Sequence, residues 1–357
     1  MEAILTRLSR YILSLLLLAG LLVPAAFAAN KDTPHDLLTK SFQQANLWTQ
    51  GPLKLTANVR MPKPDGSGDI NLVYTVSWAG PDKWRAEWTA NGLDQTTVLS
   101  DGKLSYLSTQ PGPLVPLLQV ESAIEALDGG NPAGPYTLPP IPVDKAKIAS
   151  SKKKVGNVDA KCMGLGEPLQ TFCVDPANGH LLSVDNSIEN ANFGSYEYTD
   201  YTTIGSIAYP QTIKVNYAGK LMEEIKVTVS HDEKFADKVF AAPDKSTSTD
   251  WPSCADVGKN FTAPSVSKSV PPKMPDAARK AKKYGLVWVF AKVGKDGAVT
   301  KANSIGGDPD LTAAASDAVQ QYKFTPYMRC GQAVEFQTVV IVPFAPPKMP
   351  GEQPIEH

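Results

Sequence analysis

Three features of the sequence predict an α+β protein in two parts. Across residues 53–229, apolar and polar residues alternate at period two between turn residues. This is the pattern of antiparallel strands with one buried and one wet face. Across residues 275–344 the order is helix, strand, strand, helix, strand. Between them, residues 244–272 are rich in Ser, Thr, Pro and Lys and lack periodicity, which predicts a linker. The first part is expected to be a curled antiparallel β half-barrel with helices, and the second a smaller α-β-β-α-β unit.

The chain's 357 residues suit two domains. With 42% hydrophobic and 20% charged residues it can bury real cores. The net charge of −1 gives no global electrostatic reason to bind nucleic acid.

At the N-terminus, Arg7 and Arg10 precede an apolar run, residues 11–23. Pro24 breaks it, and Ala26-Phe27-Ala28 is a small-x-small cleavage signal. Residues 1–28 therefore predict a secretory signal peptide and a periplasmic location. The rival is an uncleaved inner-membrane anchor, since residues 11–27 approach the lower limit of roughly 17–25 residues for a span. Export permits disulfides. The four cysteines allow three pairings. Cys162 and Cys173 flank a turn-like stretch, so a hairpin bridge is the natural pairing. It leaves Cys254 with Cys330, which would staple the linker to the C-terminal unit.

Thr33-Pro34 starts a helix, an N-cap hydroxyl before a proline, and Leu37, Leu38, Phe42 and Ala45 form its apolar stripe. About ten strands follow over residues 29–243, with a second helix at residues 114–127. A sheet that large must curl, because open twisted sheets rarely exceed about ten strands. Val76, Trp78, Trp84 and Trp88 fall on one face. They read either as plain core or as the lining of a cavity for an apolar ligand or lipid. Lys152-Lys-Lys154 reads as a solvated loop.

The N-terminal helix, the successive strands, Trp78-Ala-Gly-Pro-Asp-Lys-Trp-Arg85, Ile207-Ala-Tyr-Pro-Gln-Thr-Ile-Lys214 and Phe240-x-x-Pro243 together resemble the LolA-type half-barrel of periplasmic lipoprotein carriers. The resemblance spans residues 31–243 of the expected domain (29–243) and implies a lipid-binding fold.

In the C-terminal unit (273–345), the opening helix carries Pro275 and Ala277-Ala278-Arg279. Gly285-x-Val287-x-Val289 begins the first strand, and Gly294-Lys-Asp-Gly297-x-Val299 makes the hairpin. Leu311-x3-Ala315-x2-Ala318 lies in the second helix, followed by Tyr322-x-Phe324-x-Pro326 and Gly331-x-x-Val334-x-Phe336. Six motifs in register resemble the C-terminal domain of TonB-type energy transducers. The resemblance implies that the last strand, with Val334, Phe336, Thr338, Val340 and Val342, pairs with a short peptide of an outer-membrane receptor. Three departures from the family weigh against proton-channel contact, one being that the N-terminal apolar run looks cleavable. That run also has no histidine, and a half-barrel replaces the family's long Pro-rich spacer. Residues 346–357 are expected to be a disordered tail.

No Gly-x-Ser-x-Gly, His-Glu-x-x-His or P-loop is present, the histidines do not cluster, and there is no Cys-x-x-Cys. The expectation is therefore a non-enzymatic protein without metal or cofactor. It would bind partner peptides by strand addition in TonB-dependent transport. The alternative is a lipid or lipoprotein carrier or sensor whose C-terminal unit only docks to an envelope protein. A third reading is a secreted scaffold that dimerises through the same edge.

Overall fold

The computed structural model describes residues 32–63, 66–90, 93–109, 115–130, 134–135, 148–165, 169–188, 191–217, 219–254 and 260–344. The expected signal peptide and C-terminal tail lie outside them.

Helix α1 (Pro34–Gln44) buries Leu37, Leu38 and Phe42, the stripe its sequence carries. Two meanders follow. The first is β1 (Leu53–Pro62), β2 (Asp69–Gly80), β3 (Lys83–Ala90), β4 (Leu93–Ser100) and β5 (Lys103–Ser108). The second is β6 (Ile148–Val155), β7 (Val158–Leu165), β8 (Leu169–Val174), β9 (Leu181–Ile188), β10 (Ala191–Ile204), β11 (Ile207–Tyr217) and β12 (Lys220–His231). Antiparallel pairing of β1 with β12, from Leu53–His231 to Arg60–Glu224, joins them into one sheet. Helix α2 (Val115–Glu125) lies on the connection between the meanders and packs against β11 and β12. The Tyr198 hydroxyl ties it down, donating to the Ala123 carbonyl at 2.8 Å.

Among the described residues the sheet is open and has thirteen strands, more than the roughly ten expected. Part of the excess comes from the stretch predicted as linker, where β13 (Thr247–Asp250) pairs with β5 and forms one edge. Its Ser, Thr and Asp residues give no apolar alternation, so periodicity could not reveal it. The other edge is β6, and it holds Lys152–154. The lysine run is an exposed strand and not a loop. Lysines on an edge discourage pairing with a second sheet.

Along β1 the burial alternates strictly. Leu53, Leu55, Ala57 and Val59 point inward and Lys54 and Asn58 point outward. The inward rows of neighbouring strands form one core with α1 and α2. On the other face, Cys162 and Cys173 stand opposite each other across β7 and β8 and are bonded, within a small separate apolar cluster that includes Ala160.

The C-terminal unit contains α3 (Asp276–Lys280), β16 (Gly285–Val293), β17 (Val299–Gly306), α4 (Pro309–Val319) and β21 (Phe336–Phe344). Its main sheet has the order β17-β16-β21. Helix α4 covers that sheet with Leu311, Ala315, Ala318 and Val319, and its small alanines allow close approach. Asp308 caps it, accepting from the Asp310 amide at 2.9 Å. Lys283 pairs with Asp308 at 3.3 Å and Asp310 at 2.5 Å. Short strands complete the unit: β14 (Phe261–Thr262) and β15 (Val266–Lys268) from the linker stretch, then β18 (Lys323–Phe324), β19 (Tyr327–Arg329) and β20 (Gln332–Val334). β14 pairs with β19 and β15 with β18, so this part of the stretch also belongs to the unit.

Candidate functional site

The C-terminal unit is seated beside β13 by a short list of specific contacts. Trp251, directly after β13, is 1% exposed, and its amide donates to the Gly102 carbonyl at 2.8 Å. Its ring meets Tyr327 edge-on at 5.9 Å. Arg329, also 1% exposed, lies 5.1 Å from the same ring, and its Nε donates to the Pro252 carbonyl at 2.9 Å. A buried guanidinium requires such partners. The Cys254–Cys330 disulfide closes this corner, and Lys295 reaches Asp250 of β13 at 3.9 Å.

Between the sheet and this unit lies a cavity of about 270 Å³. Its deep wall is aromatic and aliphatic: Trp48, Tyr74, Val76, Trp84, Ile124 and Trp251. β13 contributes Thr247, Ser248 and Thr249. The C-terminal unit contributes Phe290, Lys292 and Val293 from β16, and Phe336, Gln337, Thr338 and Val339 from β21. Thr247, Ser248, Thr300 and Glu335 are solvent-exposed and line its mouth.

Of the four residues suggested for a cavity wall, Val76 and Trp84 face it. Trp78 packs against Trp48 with ring centroids 5.3 Å apart, and Trp88 against Tyr74 at 4.7 Å. Both are 2% exposed and support the wall from behind.

Two carboxyls on α2 line the cavity that no motif singled out. Glu121 accepts from the Trp88 Nε1–H at 2.6 Å. Burial raises its pKa to about 7, with the Trp88 hydrogen bond opposing. Glu125 is pushed well above the carboxylate range, by burial first and then by Asp128 and Glu121 nearby. Its Oε1 is buried without a hydrogen-bond partner. Both residues keep some accessible surface because they border the cavity, although they lie deep in the molecule. The signal was present in the sequence. Glu121 follows Leu117 by four residues and Leu118 by three, and Glu125 follows Glu121 by four, so both acids interrupt an apolar face. A third hidden acid, Glu223 on β12, is 1% exposed with Oε2 unpartnered, and burial raises its pKa to about 8.

The suggested peptide-binding residues divide between two strands. Val334 lies in β20, opposite Tyr327. Phe336, Thr338, Val340 and Val342 lie in β21, opposite Val293, Ala291, Val289 and Val287 of β16. Val334, Phe336 and Val342 are buried in the unit's own core, where Phe336 meets Phe324 and Tyr327 edge-on, each at 5.8 Å. Gln337, Thr338, Val339, Val340 and Ile341 are partly exposed, and the strand also has a backbone edge. Among the described residues it has a strand neighbour on one side only. Also among them, no helix is long and apolar enough to cross a membrane, and no three His, Cys, Asp or Glu side chains converge as a metal site.

Residues 270–346 match the family model described as Gram-negative bacterial TonB protein C-terminal. None of the curated proteins matches the chain. Among solved structures, a LolA superfamily protein from Nitrosomonas europaea is similar at 15% identity, over 57% of this chain and 96% of that one, with a TM-score of 0.39. A DUF1329 family protein from Desulfovibrio piger is similar at 12% identity, over 58% and 95%, with a TM-score of 0.42. The MucA/MucB complex of Pseudomonas aeruginosa is similar at 10% identity, over 87% and 99%, with a TM-score of 0.25. The C-terminal segment is thus TonB-like, and the rest of the chain bears a weaker likeness to LolA, DUF1329 and MucB proteins.

Proposed function

We propose that this is a non-enzymatic periplasmic protein that docks to an envelope partner through its C-terminal unit. An extended segment of the partner, such as a receptor peptide at the outer membrane, adds to the open side of β21 as a fourth strand. The observation that carries this reading is the one-sided pairing of β21 within a TonB-like segment. A strand edge presents unpaired N–H and C=O groups, and an incoming strand satisfies them while side-chain pockets select its sequence. On this reading the protein serves TonB-dependent transport.

The test exploits the alternation of an antiparallel ladder. At neighbouring residues the amide points alternately to the partner strand and away from it. Thr338 and Val339 stand opposite Ala291 and Phe290. Proline at one of these positions removes a bond to β16, and at the other removes an outward amide. A photo-crosslinker at Gln337, used in intact cells, should capture an extended segment of an envelope protein. Capture should vanish in the outward-amide variant while its thermal melting stays unchanged. Capture that survives both prolines, or no capture at all, would sink strand addition.

A second reading is a carrier or sensor of an apolar ligand, and the cavity supports it. Its aromatic wall and a volume near the lower end of the roughly 300–1,000 Å³ typical of ligand sites suit a small molecule. On this reading the C-terminal unit is the cavity's cover.

A further inference from the structure

We infer that the deep end of the cavity binds a small organic ammonium ion, held between the Glu121 and Glu125 carboxyls and the rings of Trp48, Tyr74, Trp84 and Tyr106. The inference rests on the second reading, that the cavity holds a ligand, and names the ligand's chemistry.

Three independent observations converge on it. First, the carboxyls are one helical turn apart, both line the cavity, and the buried Glu125 Oε1 has no hydrogen-bond partner.

Second, the local charge is one-sided. None of the ion pairs among the described residues involves either carboxyl. Helix α2 has no basic residue in its last turn, where Glu125 stands at the negative end of the helix dipole, one turn beyond Glu121. Asp128 adds to the same potential. The other titratable groups facing the cavity are Tyr74 and Tyr106 from the sheet, and Lys292 and Glu335, opposite in sign, from the C-terminal unit. Tyr327 lies close enough to feel Glu125.

Third, the wall is aromatic. Ring faces attract cations, most strongly where water is excluded. A metal ion is the poorer fit, because no three metal-binding side chains converge among the described residues and the space is far larger than one ion. Above about pH 7, where Glu121 ionises, a carboxylate or phosphate would meet like charge.

The experiment titrates the purified full-length protein with hexylamine, 1-hexanol and hexanoate, following tryptophan emission and heat. Hexylamine should bind about tenfold more tightly than hexanol, the size expected of a charge-assisted hydrogen bond plus a cation–π contact. Its affinity should rise from about pH 6 to about pH 8 as the Glu121 carboxyl ionises, while hexanol's stays flat. The E121Q/E125Q double variant should bind hexanol as before and lose the preference for the amine. Equal binding of amine and alcohol, or an unchanged preference in the double variant, overturns the ammonium assignment while the ligand cavity stands. Binding of none of the three overturns both. If the double variant melts early, the single substitution Glu125→Gln, which keeps the Glu121–Trp88 bond, carries the same comparison.

Discussion

Glu223 places a carboxyl on the inward row of β12, followed by the buried Ile225 and Val227 and close to the buried Tyr196. Burial favours its neutral form, raising the pKa from 4.5 to about 8. The folded state therefore holds a proton that the unfolded chain releases at lower pH. The stability this contributes is full at acid pH and is lost as pH rises through the window between those two values. Glu121 and Glu125 act in the same direction. Chemical denaturation should find the protein less stable at pH 8 than at pH 5, by a few kcal/mol. Glu223→Gln should flatten that slope and raise stability at pH 8. A slope that the substitution leaves untouched would place the titrating groups elsewhere. At the corner of the C-terminal unit, Trp251→Ala should cost about 3–5 kcal/mol, the range for a buried aromatic, because it removes the ring that Arg329 and Tyr327 share.

Among the elements, the β16–β17 hairpin is the most constrained by its turn. Gly297 has φ +81, and a Cβ there would meet the Phe324 carbonyl oxygen at 1.9 Å. The close approach exists because the Phe324 amide donates to the Gly297 carbonyl at 2.8 Å, so the turn rests on the chain leaving α4. Gly297→Ala should destabilise the protein by roughly 2 kcal/mol or more, read as a shifted denaturant midpoint. The control is Gly102→Ala in the β4–β5 turn. It also has positive φ, but open space around its Cβ, so it should cost distinctly less. At this scale the sequence was highly readable. Strand alternation and the Gly294-Lys-Asp-Gly297 turn place β16, β17 and α4 within a few residues of where they lie. β13 was not readable, because an edge strand exposed on both faces needs no apolar period.

For the molecule as a whole, the arrangement depends on cross-links that span long stretches of chain. Cys254 and Cys330 are 76 residues apart, and Cys162 and Cys173 only 11. In the chain-entropy picture the longer closure contributes about 4 kcal/mol and the shorter about 3 kcal/mol, the shorter one also joining strands already in register. The C254S/C330S variant should therefore lose more stability than C162S/C173S, measured in guanidinium. It should also expose Trp251, visible as a red shift in tryptophan emission before global unfolding. Equal losses and no early shift would mean that the apolar contacts alone hold the C-terminal unit in place.

The sequence by itself determined the elements: the strand rows, the α1 stripe, the α-β-β-α-β order and the TonB-like segment. Each follows from local periodicity, turn chemistry or motifs in register, which a chain carries whatever its partners. Tertiary structure decided what those elements make together. It put the linker's Thr247–Asp250 on the sheet, set Phe336, Gln337, Thr338 and Val339 of β21 along the cavity, and brought Glu121 and Glu125 to the same cavity as Trp84 and Tyr74. Helix, sheet and C-terminal unit come from distant parts of the chain, and no local pattern encodes the space left between them. That space became visible only when the β13 corner seated the C-terminal unit against the open sheet.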